Sequence, residues 1–254
     1  MKRPNSILTL SLVFGSLLIA GLACGGSSTT TTNNTAAPAN NSTATSSTPA
    51  PSAPKSIAGN YTTTGSNPDG GGQYKADLVI TPRDDVYQFS WKSGTSSYDG
   101  VGVMTDARVA VAYTDGANGK GCGVVLYKIG SDGAMDGKIG YWGVNSMETE
   151  RATRTKGSGS DLDGVYDIVG KNPEGKEYKG KLTVIQSGEG YTFDWEAGNA
   201  FSGFGIKAGN YVAVGFGGKQ CAFVGYDVEA DGTLNGRWGN QVTRKLGTEV
   251  AKKK

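Results

Sequence analysis

The chain has 254 residues, with 25 basic against 23 acidic side chains and no histidine. So small a net charge leaves no electrostatic footprint for nucleic acid. Without imidazole the chain lacks the commonest general base, the commonest metal ligand and the usual partner of a Ser or Cys nucleophile, so neither catalysis nor a cofactor or metal is expected.

Residues 1–24 open with Lys2 and Arg3 and continue in an apolar run over 7–22, the layout of a secretory signal rather than a membrane span. The run ends Leu22-Ala23-Cys24-Gly25. This resembles the lipobox of bacterial lipoproteins, in which the Cys becomes the lipidated first residue of the mature chain. The resemblance implies acylation at Cys24 and a bilayer as the first partner. Gly25 after that Cys, in place of Asp, favours the outer membrane or cell surface in a cell with two membranes. Three cysteines are present. If Cys24 carries lipid, Cys122 and Cys221 are left to pair, or to stand as two buried thiols.

Residues 25–55 are Ser, Thr, Asn, Ala and Pro with no aromatic. Such a composition cannot offset its ordering entropy, and a disordered stalk is expected. As a coil it would span roughly 30 Å.

The remainder repeats itself, as residues 56–155 and 161–250, with a Gly/Ser seam between them. Gly59-Asn60-Tyr61 matches Gly164-Val165-Tyr166, and Asn67-Pro68-Asp69-Gly70 matches Asn172-Pro173-Glu174-Gly175. Tyr87-Gln88-Phe89-Ser90-Trp91 matches Tyr191-Thr192-Phe193-Asp194-Trp195. Beyond these, Cys122 aligns with Cys221, Tyr127 with Tyr226, and Thr149-Glu150 with Thr248-Glu249. So many matches in one order mean an internal duplication. Residues 251–254 read as a short basic tail.

Within each repeat the apolar period is two. Tyr87, Phe89 and Trp91 alternate with Gln88 and Ser90, and Val109, Val111 and Tyr113 continue the pattern. Asn-Pro-Asp-Gly, Ser-Gly-Thr-Ser and Ser-Asp-Gly separate the runs as hairpin turns. The expected fold is all-β: two tandem antiparallel up-and-down barrels of about eight strands each. Cys122, Val124 and Leu126 share one strand face, and Val125, Tyr127 and Ile129 the other. Both faces are apolar, which predicts a strand covered on both sides, with the sister repeat as a candidate cover.

The combination G-x-Y, N-P-x-G, Y-x-F-x-W, D-G-x-x-x-G and T-E resembles a module of exported bacterial proteins, some of which carry a fibronectin-binding label. That resemblance implies adhesion to a host or envelope protein, for example of the extracellular matrix. Gly59-Asn60-Tyr61 and Gly164-Val165-Tyr166 also resemble the opening strand of the calycin barrels. There, by resemblance, Arg154 and Lys253 would pack across the rings.

Two readings of function follow: a non-catalytic adhesion module, or a carrier with a small apolar ligand in each barrel. The discriminating residues are Tyr87, Phe89, Trp91, Tyr191, Phe193 and Trp195, which either fill the cores or face a ligand. Glu150 and Glu249, one per repeat and without a second acid or histidine, are expected to be structural, bonded to backbone amides or to Lys138 and Arg237. Asp132 and Asp231 are expected to serve their Asp-Gly turns.

Overall fold

The computed structural model describes residues 56–116, 119–157 and 161–254; the leader with Cys24 and the 25–55 segment lie outside them. The first repeat forms β1 (Gly59–Ser66), β2 (Gln73–Arg83), β3 (Val86–Ser93), β4 (Ser96–Thr105), β5 (Arg108–Asp115), β6 (Cys122–Ile129), β7 (Met135–Tyr141) and β8 (Glu148–Lys156). The second forms β9 (Gly164–Lys171), β10 (Glu177–Ser187), β11 (Gly190–Ala197), β12 (Asn199–Ala208), β13 (Tyr211–Gly217), β14 (Ala222–Val228), β15 (Leu234–Gly239) and β16 (Gly247–Lys253). Among the described residues the only helical element is a 3-10 turn at Pro68–Gly70, within the first Asn-Pro-Asp-Gly match. Tight hairpins place Asp84 and Asp106 in the left-handed region, at φ 50° and 54°, a conformation Asp tolerates better than most residues.

All pairs are antiparallel and close into two eight-stranded barrels, but the barrels do not coincide with the repeats. Strands β6–β13 form one contiguous barrel, with β13 returning to pair with β6. It is inserted between β5 and β14 of the other barrel, in which β1–β5 of the first repeat pair with β14–β16 of the second. We call them the inserted and the split barrel. Repeats 56–155 and 161–250 therefore do not each close on themselves. Their seam lies inside the inserted barrel, where β8 pairs with β9. The physical reason is that β6 and β14 are near copies. Val111 pairs with Val224 across β5–β14, just as Val214 pairs with Val125 across β13–β6.

Residues 251–254 are also not a free tail. Ala251 is buried and sits in β16 between Thr63 and Leu234, and the Lys254 amide donates to Asn60 O at 2.9 Å.

The chain passes between the barrels twice, before β6 and before β14. Cys122 and Cys221 are disulfide-bonded at these crossings, with Cα atoms 5.7 Å apart and 99 residues between them. In the chain-entropy model a bond closing so long a loop stabilises by about 4–5 kcal/mol. Around it lies an apolar layer between the barrels. Cys122, Val124 and Leu126 of β6 meet Val101, Val103, Ala110 and Ala112 of the split barrel. Val125 and Tyr127, on the other face of β6, belong to the core of the inserted barrel. The strand is thus covered on both sides. Gly140 of β7 permits the close approach, since a Cβ there would stand 3.0 Å from Val103 Cγ1 and 3.3 Å from Val86 Cγ1.

This topology predicts the behaviour of a chain given a protease site at 158–160. After cleavage and reduction of the disulfide, the two fragments co-elute in native size exclusion and separate only in denaturant. Two self-closed barrels would come apart on reduction.

Candidate functional site

Each barrel is plugged at one end in the same way. Ile57 and Leu162, just ahead of β1 and β9, are buried, and their carbonyls accept from Tyr61 Oη at 2.8 Å and Tyr166 Oη at 2.7 Å. Arg154 lies over the Tyr166 ring, Cζ 5.3 Å from its centroid, and donates to its hydroxyl at 2.7 Å. Lys253 stands opposite Tyr61 in the β1–β16 ladder and lies against Gly59. Arg154 thus packs across its ring as anticipated, and Lys253 holds the equivalent ladder position beside Tyr61.

Phe89 and Phe193 are fully buried in mid-barrel, and Tyr87 and Tyr191 pack against the same cores. Phe89 stacks on Trp91 at 5.4 Å and Phe193 on Trp195 at 5.8 Å. The aromatic triplets therefore mostly fill core. Trp91 and Trp195 mark where packing gives way to a cavity, at the end of each barrel away from its plug.

At the floor of each cavity lies a buried carboxylate. Glu249, on β16, accepts from Tyr74 Oη at 2.8 Å, from Trp91 Nε1 at 3.1 Å and from Tyr226 Oη. Glu150, on β8, accepts from Tyr178 Oη at 3.1 Å, from Trp195 Nε1 at 3.3 Å and from Tyr127 Oη. Each cluster combines residues of both repeats, because the exchanged strands carry the acid into the sister's barrel. The expectation of backbone amides, Lys138 or Arg237 as partners is corrected accordingly. Arg237 pairs instead with Glu189 at 2.5 Å. The reason is parity: Glu150 and Glu249 point inward, where the polar atoms are phenol and indole donors. Tyr74, Tyr178, Tyr127 and Tyr226 were not singled out as site residues beforehand. Their signal was duplication of an inward tyrosine in each repeat.

Burial is the largest influence on both acids and holds their pKa values above the ordinary range, while the tyrosine and tryptophan donors pull the other way. Burial and the adjacent carboxylate push Tyr226 and Tyr127 well up, so both remain protonated donors. Asp132 Oδ1 accepts from the Ala134 amide at 3.1 Å and Asp231 Oδ1 from the Thr233 amide at 2.8 Å, the turn roles expected of them. No group of three or more potential metal ligands occurs among the described residues.

The two cavities differ. That of the split barrel encloses about 430 Å³, and that of the inserted barrel about 220 Å³. In the inserted barrel Phe201 lies flat on Trp195, with centroids 5.1 Å apart and 11° between planes. Phe216 packs on both rings and Tyr141 meets it edge-on. At the corresponding ladder positions the split barrel has Tyr98, Tyr113 and Asn240, with Trp238 for Ile139. Its space is the larger of the two. Neither a protein-family model, nor a curated protein, nor a solved structure matches this chain.

The buried acids predict a graded response. Glu249→Ala leaves three donors without an acceptor and costs more than about 3 kcal/mol, at about 1–3 kcal/mol for each orphaned group. Glu249→Gln is milder and removes a titration. Because the folded-state pKa is raised, the stability linked to the proton is complete below the unfolded value and is lost as pH rises through the folded one. Denaturant melts should therefore show the wild type gaining on Glu249→Gln as pH falls from neutral towards about 4.3. A constant difference would mean that the acid is not held up by burial.

Proposed function

We propose that this protein binds a small molecule in the split barrel, and that it does so as an extracytoplasmic lipoprotein tethered through Cys24. One observation carries the reading: a cavity of 430 Å³, floored by Glu249 and walled by half-buried rings, at the unplugged end of a rigid barrel. That volume lies in the range of small-molecule sites, which combine ring faces with a few convergent polar groups. Asn67, Asp115, Gln220 and Asn240 supply such groups around the rim.

The reading narrows the carrier expectation. The site is polar-rimmed rather than purely apolar, and one barrel carries it rather than both. The inserted barrel, its cavity narrowed by Phe201 and Phe216 to about 220 Å³, serves as a companion that holds the split barrel's two segments together. Non-catalytic action fits the chemistry of the floor. The acid is saturated by three donors. An adhesin for an envelope or host protein would instead use the outer barrel faces, and plugging the cavity would leave its binding intact.

Asn240→Tyr copies the ring that the inserted barrel presents at this position and should occlude the mouth. Native mass spectrometry of the purified chain should find a small molecule on the wild type at substoichiometric or full occupancy, and at least tenfold less on the variant. A wild type that is empty after isolation from its own envelope, and that gains no ligand from envelope extract, would contradict the reading.

A further inference from the structure

The chemistry of the cavity wall narrows the ligand further, on the basis of the binding reading above. Five Tyr and Trp side chains surround the space: Tyr74, Trp91, Tyr98, Tyr113 and Trp238. They do not form a flat platform. Tyr74 meets Trp238 at 82°, Tyr98 meets Tyr113 at 88°, Tyr113 meets Trp238 at 60° and Trp91 meets Tyr113 at 48°. Mutually tilted rings bound one cleft from several sides and present no single broad platform. A planar ligand or a sugar ring stacks on one broad face, whereas a compact, roughly spherical group is served by a box.

Charge points the same way. The titratable acids of the lining are Glu249 on the floor and Asp115 at the rim, and among its described residues there is no lysine or arginine. Ring faces carry the negative end of the aromatic quadrupole, and Trp and Tyr are the strongest such partners for a cation. An anion entering this cavity would meet carboxylates and ring faces and no compensating charge. A neutral apolar ligand would leave the rim amides and Asp115 without purpose. The Trp238 ring stands in the wall by its edge contacts with Tyr74 and Tyr113.

The inserted barrel provides an internal contrast. Its acid cluster is intact, yet Phe replaces Tyr at two wall positions, Ile139 stands for Trp238, and the Trp195 face is covered by Phe201. The acid with its three donors is therefore common to both barrels, and five rings and two glutamates line the smaller cavity as well. What is peculiar to the split barrel is the larger space and the Trp238 wall beside it. We propose that the split barrel is an aromatic cage for an organic cation, an alkylated or quaternary ammonium group, with its polar remainder directed to the Asn240, Gln220 and Asp115 rim.

The test uses the purified full chain and a matched pair of probes: choline, and 3,3-dimethyl-1-butanol, which has the same shape with carbon in place of the charged nitrogen. Titration calorimetry and tryptophan fluorescence should give saturable binding of choline at one site per chain, with the neutral isostere at least tenfold weaker. Trp238→Leu should weaken choline at least tenfold. Trp238→Phe, which keeps a ring, should fall between, with the melting temperature of each variant recorded to exclude misfolding. Equal binding of the two probes would overturn the cation assignment and leave the binding cavity standing. So would failure of both probes on a chain that carries some other small molecule from its envelope. If both probes fail and the chain takes up nothing from envelope extract, the cage and the binding reading fall together.

Discussion

The structure depends on one choice of strand pairing. β5 closes its barrel with β14 rather than with β6, and β13 closes with β6 rather than with β14. The hydrogen-bond ladder is equivalent in either case, because the two copies keep one register along these strands, with Cys122, Val125 and Tyr127 of β6 recurring as Cys221, Val224 and Tyr226. The pairing decides everything above the ladder. It makes one barrel contiguous and the other split, it brings Cys122 and Cys221 together at the two crossings, and it supplies each barrel with its buried glutamate from the other repeat's register. Separating the repeats would dismantle both carboxylate clusters at once, so folding of the two barrels is expected to be coupled.

Within that frame, duplication has left one scaffold and two different mouths. The plug, the mid-barrel aromatics and the acid cluster recur in both barrels, as expected of parts that hold a barrel closed. The residues beyond the acid do not recur. Phe201, Phe216 and Tyr141 fill one opening with ring-on-ring packing. Tyr98, Tyr113, Trp238 and Asn240 leave the other with about twice the space over a floor that is already satisfied. A satisfied floor is useful to a binding cavity, since the carboxylate is fixed by its donors and does not have to reorganise when a ligand arrives. The same saturation makes it a poor acid or base.

Much of the fold was legible from residues. The period of two, the turn tetrapeptides and the duplication specify eight strands per repeat, and the two apolar faces of the Cys122 strand foretell an element covered on both sides. The exchange was not legible. Copies β6 and β14 have the same pattern, and neither periodicity nor turn chemistry says which of them β5 selects. The basic ending at residues 251–254 misled for a related reason: the one inward residue there is Ala251, too small to advertise a strand among the lysines that follow it. The site was half legible. Trp91 and Trp195 were marked, and the two glutamates were singled out with other partners than the phenols and indoles they bond. Their partners lay on strands that sequence assigns to the wrong barrel, and which residues line the wider and the narrower cavity follows only once that pairing is known.

The claim that decides the rest is the cross-repeat pairing, and nuclear Overhauser contacts between backbone protons test it directly. Val111 should show cross-strand contacts to Val224 and its ladder neighbours, and Val214 to Val125 and its neighbours. Contacts from Val111 to Val125 in their place would mean that each repeat closes on itself. The glutamate clusters and the cage would then have to be rebuilt within single repeats.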